Sequence, residues 1–105
     1  MTTYYEKLKD PRWQRRRLEI MERDGFACFE CDDDKSTLHV HHGYYQRGLD
    51  PWDYDPDTLW TLCEGCHELV QDYLADFHRL IGGATLSEMQ EMFAAAERCL
   101  AEIRE

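Results

Sequence analysis

The cysteines and histidines of this 105-residue chain are spaced for metal chemistry. Cys28 and Cys31 form one Cys-x-x-Cys pair and Cys63 and Cys66 a second. Between the pairs runs Leu38-His39-Val40-His41-His42, and His67 follows the last cysteine directly. Each pair is short enough to wrap one tight turn around an ion, and four thiolates complete the tetrahedral shell of a structural zinc. A closed four-sulfur site has no need of imidazole, so His41, His42 and His67 are left to build a second, open site beside it. Buried free thiols, or two disulfides in a small secreted domain, do not account for the paired spacing. Cys63-Glu64-Gly65-Cys66-His67 also fits the pattern of covalent haem attachment, but that chemistry requires export. The first ten residues carry Glu6, Lys7, Lys9 and Asp10 with no apolar run, and haem would leave Cys28 and Cys31 unexplained. No haem is expected, and a reducing cytoplasm is the expected compartment. Cys99, the odd cysteine, reads as a small hydrophobe on a helix.

The elements that must position these groups follow from pattern. The length suits one small globular unit whose modest core a zinc site would reinforce, and 43% hydrophobic with 32% charged residues is a globular composition without a membrane-spanning stretch. Asp10-Pro11 reads as a helix N-cap with proline at the first helical position, and the helix runs to about Asp24, where Gly25 stops it. The segments Thr37–His41 and Leu59–Leu62 read as short strands. Between them, residues 43–57 form a loop with Tyr44, Tyr45, Trp52 and Tyr54, whose aromatic rings are expected to cover the zinc site in place of core; base or sugar contact is the other use for them. Residues 66–81 have helical periodicity, with Leu69, Val70, Tyr73, Leu74, Phe77, Leu80 and Ile81 on one broad face and Gly82-Gly83 at the end. His67 falls in its first turn, near His41 and His42 at the end of the first strand. His39 and His78 read as surface or packing residues.

A last helix opens at a possible capping box, Thr85-x-x-Glu88. Leu86, Met89, Phe93, Ala96, Leu100 and Ile103 then recur at alternating spacings of three and four, the pattern of a heptad seam. The seam either folds back on residues 67–81 as an antiparallel hairpin or joins a second copy or a partner helix. The domain boundaries read as 1–83 for the metal-bearing part and 84–105 for this helix.

The net charge is −10, which opposes nucleic-acid binding, but it is unevenly spread. Residues 1–23 hold seven basic and four acidic residues (+3), residues 24–67 two and ten (−8), and residues 68–105 three and eight (−5). One end is equipped to touch phosphate and the rest to repel it, unless bound cations offset part of the acidity.

These residues together resemble a family. Trp13, Arg17, Arg23-Asp24 and Cys28-x-x-Cys31, then Leu38-His39-Val40-His41-His42, then Leu59-Trp60-Thr61-Leu62-Cys63-Glu64-Gly65-Cys66-His67, are similar to the zinc-stapled branch of the HNH endonucleases. The resemblance covers roughly residues 4–75. It implies a small zinc-stabilised α+β fold: a treble-clef-like ββα-metal finger, with a helix before it and the amphipathic helix after it. It also implies that Cys28, Cys31, Cys63 and Cys66 hold the structural zinc. His41 and His67 would bind a second divalent cation such as Mg, Mn, Ni or Zn, and His42 would act as general base. Thr58 stands where the family has asparagine, with Asp57 beside it as a substitute hard-cation ligand. The implied activity is metal-dependent hydrolysis of DNA phosphodiesters. The alternative is an HNH fold with little or no catalysis, serving as an acidic protein-binding module or as an inhibitor of a DNA-binding partner. Expected partners are accordingly DNA, and a protein partner or second copy through the C-terminal helix, with no membrane.

Overall fold

A computed structural model of the chain describes residues 2–105. They form a small α+β structure with four α-helices and one two-stranded antiparallel sheet, in the order α1 (Tyr4–Lys7), α2 (Pro11–Arg23), β1 (Leu38–His42), β2 (Leu59–Cys63), α3 (Glu64–Gly82) and α4 (Leu86–Ile103). Two compact units divide this set, residues 2–70 and 71–105, and the division falls inside α3. No helix is long and apolar enough to cross a membrane.

Helix α2 is bounded at both ends by the chemistry of its termini. Asp10 caps it by accepting from Arg12 N at 2.8 Å, with Pro11 following. At the other end Gly25 takes a positive φ of 75°, Gly25 N donates to Glu22 O, and Phe26 N to Met21 O. This is a Schellman stop, and glycine is the residue for which that backbone costs least. Trp13, Ile20 and Met21 on its inner face are buried. α1, which periodicity does not reveal, is a single turn closed by a Thr3–Glu6 capping box.

The strands pair with Leu38 opposite Cys63, Val40 opposite Thr61 and His42 opposite Leu59. β1 is shifted one residue along the chain from the expected Thr37–His41, and β2 runs one residue beyond the expected Leu59–Leu62. The connection between them is packed rather than loose. Gly43 N donates to Thr58 O at 2.8 Å, and a Cβ on Gly43 would meet that oxygen at 3.1 Å, so glycine suits this crossing. Tyr54 OH accepts from Gln46 N, and Lys7 reaches Asp50 at 2.6 Å. The loop aromatics do not cover the cysteines. Tyr54 packs with Trp13, Ile20 and Leu59, flanked by Trp52, while Cys28, Cys63 and Leu62 form a separate cluster with Leu38, Trp60, Cys66 and Val70.

One polar hub ties α2 to the sheet. The buried Asp24 carboxylate accepts from Thr61 N at 2.9 Å and from Arg23 Nε at 2.8 Å. Arg23 also donates to Pro56 O and Leu59 O and lies over the Trp60 ring. Burial alone would raise the Asp24 pKa, but the Arg23 guanidinium and the Thr61 N–H hold it below the usual carboxylate range. Replacing Asp24 by alanine leaves Thr61 N–H and Arg23 without their acceptor, for an expected loss of about 2–4 kcal/mol. Because the folded pKa is depressed, the contribution is present above the unfolded value and disappears as pH falls through the lowered one. Urea titrations of wild type and Asp24→Asn should therefore converge in acid and diverge toward neutrality; a gap independent of pH would refute this role.

Candidate functional site

The four cysteines come from two backbone turns built for the purpose. Cys28 and Cys31 sit on a knuckle in which Asp32 N donates to Cys28 O and Cys28 N to Asp33 O, with Asp32 in the left-handed region at φ 62°. Phe29 N donates to Thr61 O at 2.8 Å, which pins the knuckle to β2. Cys63 is the last residue of β2, and Cys66 lies in the first turn of α3, where its N–H points at Cys63 Sγ at 3.4 Å. A thiolate at a helix N-terminus is favoured by the dipole as well as by that donor.

All four sulfurs lie within 4.8 Å of one another, and Cys31 Sγ to Cys63 Sγ is 3.7 Å. A disulfide would need about 2.05 Å, and none of the cysteines is bonded to another. Zinc–sulfur bonds of about 2.3 Å at tetrahedral angles set sulfurs about 3.8 Å apart; the Cys31–Cys63 pair has that spacing, and the whole set lies within reach of one ion. Electrostatics asks for the cation too. Burial opposes ionisation of Cys28, yet backbone N–H groups of Cys63, Cys31 and Glu30 bring it down to about 7. Contacts with Cys63 and Cys28 then push Cys66 up to about 12, and Cys31, though helped by the Asp33 backbone, is raised by the same neighbours. Ionisation of Cys28 thus opposes that of its neighbours Cys31 and Cys66, a repulsion that a bound dication would relieve. The cluster can hold a structural metal ion such as zinc, and among the described residues it is the one place where three or more such ligands converge.

The histidines divide between the faces of β1, as strand alternation requires. His39 and His41 share one face, and His67, in the first turn of α3, lies against both: its ring centroid is 5.2 Å from His39 in a stack and 5.3 Å from His41 in an edge contact. His41 is buried, and burial first, then the proximity of His67 and His42, lowers its pKa. Burial and His39 lower that of His67 against the opposing pull of Glu68. Both rings therefore favour the neutral form that a metal requires. His42 points to the other face, stacks on Trp13 at 4.8 Å and is surrounded by Tyr45 and Tyr54. Its Nε2 lies 3.0 Å from Pro51 O. A carbonyl can only accept, so Nε2 carries the hydrogen and Nδ1 of the neutral ring holds the free lone pair. Burial lowers the His42 pKa, and the Pro51 bond opposes that only in part.

β1 has a partner on one side only, and a cleft of about 390 Å³ follows its free edge. His39, His42 and His67 line it, with Arg17 and Tyr45 on the walls. The open edge thus gives residues of opposite strand faces one common space.

Asp57 and Thr58 stand apart from this arrangement in their bonding. Thr58 Oγ1 donates to Asp55 O at 2.7 Å and its carbonyl receives Gly43 N, while Asp57 is exposed with its N–H on the Asp55 carboxylate. His39, read as a packing residue, lies inside the histidine cluster; its two-residue offset from His41 was the available signal. The Pro51 carbonyl left no signal at all, because a backbone acceptor has no side-chain identity. No protein-family model, no curated protein and no solved structure matches the chain.

Elemental analysis of protein purified without added metal is expected to give one zinc per chain. A Cys63→Ser substitution, or a strong chelator, should abolish cooperative unfolding of residues 2–70, because metal binding and folding are linked in such sites. A metal-free protein with unchanged thermal unfolding would refute it.

Proposed function

We propose that the chain is an HNH-type, metal-dependent endonuclease that hydrolyses DNA phosphodiesters, built on a zinc-stapled ββα-metal finger. The observation that carries this reading is His42: a buried, neutral imidazole whose tautomer is set by Pro51 O at 3.0 Å, in a cleft shared with His67 and Arg17. That is what a general base for water needs, a lone pair on Nδ1 and a fixed ring. Arg17 on the cleft wall is placed to meet a phosphate oxygen. His41 and His67 would hold a divalent cation between them, leaving its other positions to water and substrate. Bound there, the cation would neutralise charge on the phosphate and on the departing 3′ oxygen. Pro51 O, rather than Thr58, orients the base in this reading, which removes the need for the family's asparagine in that role. Unpaired thiols in two zinc knuckles fit a reducing cytoplasm.

A second reading has its own observation. Thr58 spends its hydroxyl on its own turn, and α3 presents Glu64, Glu68, Asp72 and Asp76, a face that repels phosphate. An acidic binding module that competes for a DNA-binding partner would use that face.

The readings separate in a nicking assay on supercoiled plasmid with Mg²⁺, Mn²⁺ or Ni²⁺. The nuclease reading expects cutting that falls by about 10²–10⁴ in His42→Ala, with zinc content unchanged. His67→Ala should lose activity and be partly rescued by raising the metal concentration. Absence of cutting with all three ions, or full activity in His42→Ala, would sink the nuclease.

A further inference from the structure

Residues 71–105 leave a continuous apolar surface in water. Neither α3 from Gln71 onward nor α4 has a buried large side chain; Tyr73, Phe77 and Leu80 are exposed on the first, and Leu86, Phe93 and Ile103, at 72%, 68% and 72%, on the second. The antiparallel hairpin that periodicity allows is thus not closed: the seam residues of α4 and the facing residues of α3 remain uncovered. Helices of this length with unburied faces are marginal in water, since most helical stability comes from packing. An apolar patch of this size marks an interaction surface.

The order of residues along the seam selects the occupant. The spacing of Leu86, Met89, Phe93, Ala96, Leu100 and Ile103, alternately three and four, is the same in both directions. If two α4 helices run antiparallel, Leu86 meets the partner's Ile103, Met89 meets the partner's Leu100, and Phe93 meets the partner's Ala96. Every layer then sets unlike residues opposite each other, and the largest side chain faces the smallest, as interdigitated packing requires. A parallel pair would instead put Phe93 against itself and Ala96 against itself, one layer overfilled and one empty. The antiparallel match is also symmetric, residue i on j and j on i, which is the rule for a two-fold interface between identical chains. Opposed macrodipoles favour the same arrangement. The exposed side chains of the α4 seam offer on the order of 600 Å² per chain, so an α4–α4 pair would bury about 1,200 Å², the lower end of a standard stable interface.

We infer that residues 71–105 form a homodimer in which α4 packs antiparallel on α4 of a second copy, with Phe93 seated over the partner's Ala96. The inference is independent of whether the histidine cleft cuts DNA.

Sedimentation equilibrium on the full-length, zinc-loaded protein tests it, with circular dichroism and zinc content as checks on folding. The expected result is twice the chain mass at micromolar concentration. Phe93→Ala should raise the dissociation constant by roughly tenfold to thirtyfold, because it leaves two cavities per dimer. Ala96→Phe should also weaken the pair by crowding the same layer, and the double substitution Phe93→Ala/Ala96→Phe should restore it, since large again faces small. A zinc-loaded wild-type monomer would overturn the inference, whether the seam folds back on residues 71–82 or awaits a basic helix of another protein. A dimer indifferent to Phe93→Glu would overturn it as well, and a dimer in which the double substitution fails to restore association would overturn the antiparallel register.

Discussion

Four sulfur atoms must meet within bonding reach of one ion, and the rest of residues 2–70 follows from that requirement. The knuckle at Cys28 and Cys31 is thirty-odd residues from Cys63 and Cys66, and most of its hydrogen bonds are local, within residues 28–36. The two are joined by the Phe29–Thr61 hydrogen bond, the Phe29–Trp60 ring contact and the packing of Cys28 on Leu62 and Cys63, and a metal held by the four sulfurs would add to these. Because Cys63 ends β2 and Cys66 opens α3, closing the shell also sets the angle at which the helix leaves the strand, and that angle carries His67 to His41. The apolar core is small, with few fully buried large side chains, so it cannot impose this geometry alone. Asp24 and Arg23 provide the second tie, bonding α2 to the start and the middle of β2 through main-chain groups.

Much of this was legible because the relevant signals are local. Cys-x-x-Cys spacing is a local feature, as are the Asp10-Pro11 cap, the Gly25 stop and the Thr85–Glu88 capping box, and each appears where the pattern puts it. The approach of His67 to His41 was also readable, since an antiparallel return from β1 brings the start of α3 back beside β1. The failures are tertiary. Four rings in the 43–57 loop can cover either the zinc cluster or α2, and only the angle of the hairpin decides between them. Pairing of the C-terminal faces was equally open: a seam of period 3.5 says that a helix belongs there and not which one. The division of the chain falls within α3 because Val70 is the last residue of that helix packed on the cysteine cluster, a matter of reach rather than of sequence punctuation.

The placement of His42 follows from the topology of a two-stranded sheet. Alternation sends adjacent residues to opposite faces, so His41 and His42 cannot share a face of β1. In a wider sheet a further strand would stand between their surroundings. Here β1 has a free edge, and the cleft along it collects His39 and His67 from one side and His42 and Trp13 from the other. The exposed edge also leaves unpaired backbone groups, which the cleft walls from α1, α2 and the Tyr44–Tyr45 segment partly shield.

Charge then limits how DNA can approach under the nuclease reading. The +3 segment lies in α1 and α2, where Arg12 sits over Trp52 and Arg15 is exposed, whereas α3 carries four acidic residues in its first thirteen positions. Phosphates entering the cleft are therefore drawn along the α2 wall, on which Arg17 stands, and repelled from the α3 side. Few cations take part, so few counterions are released, and binding from this source is weak with a shallow salt dependence. Such a chain gains little from non-specific affinity. Its cutting would depend on the ion at His41 and His67 and on His42 rather than on hold over the duplex, which is why a divalent ion there, adding two positive charges beside Glu68, would do more for substrate binding here than in a basic nuclease.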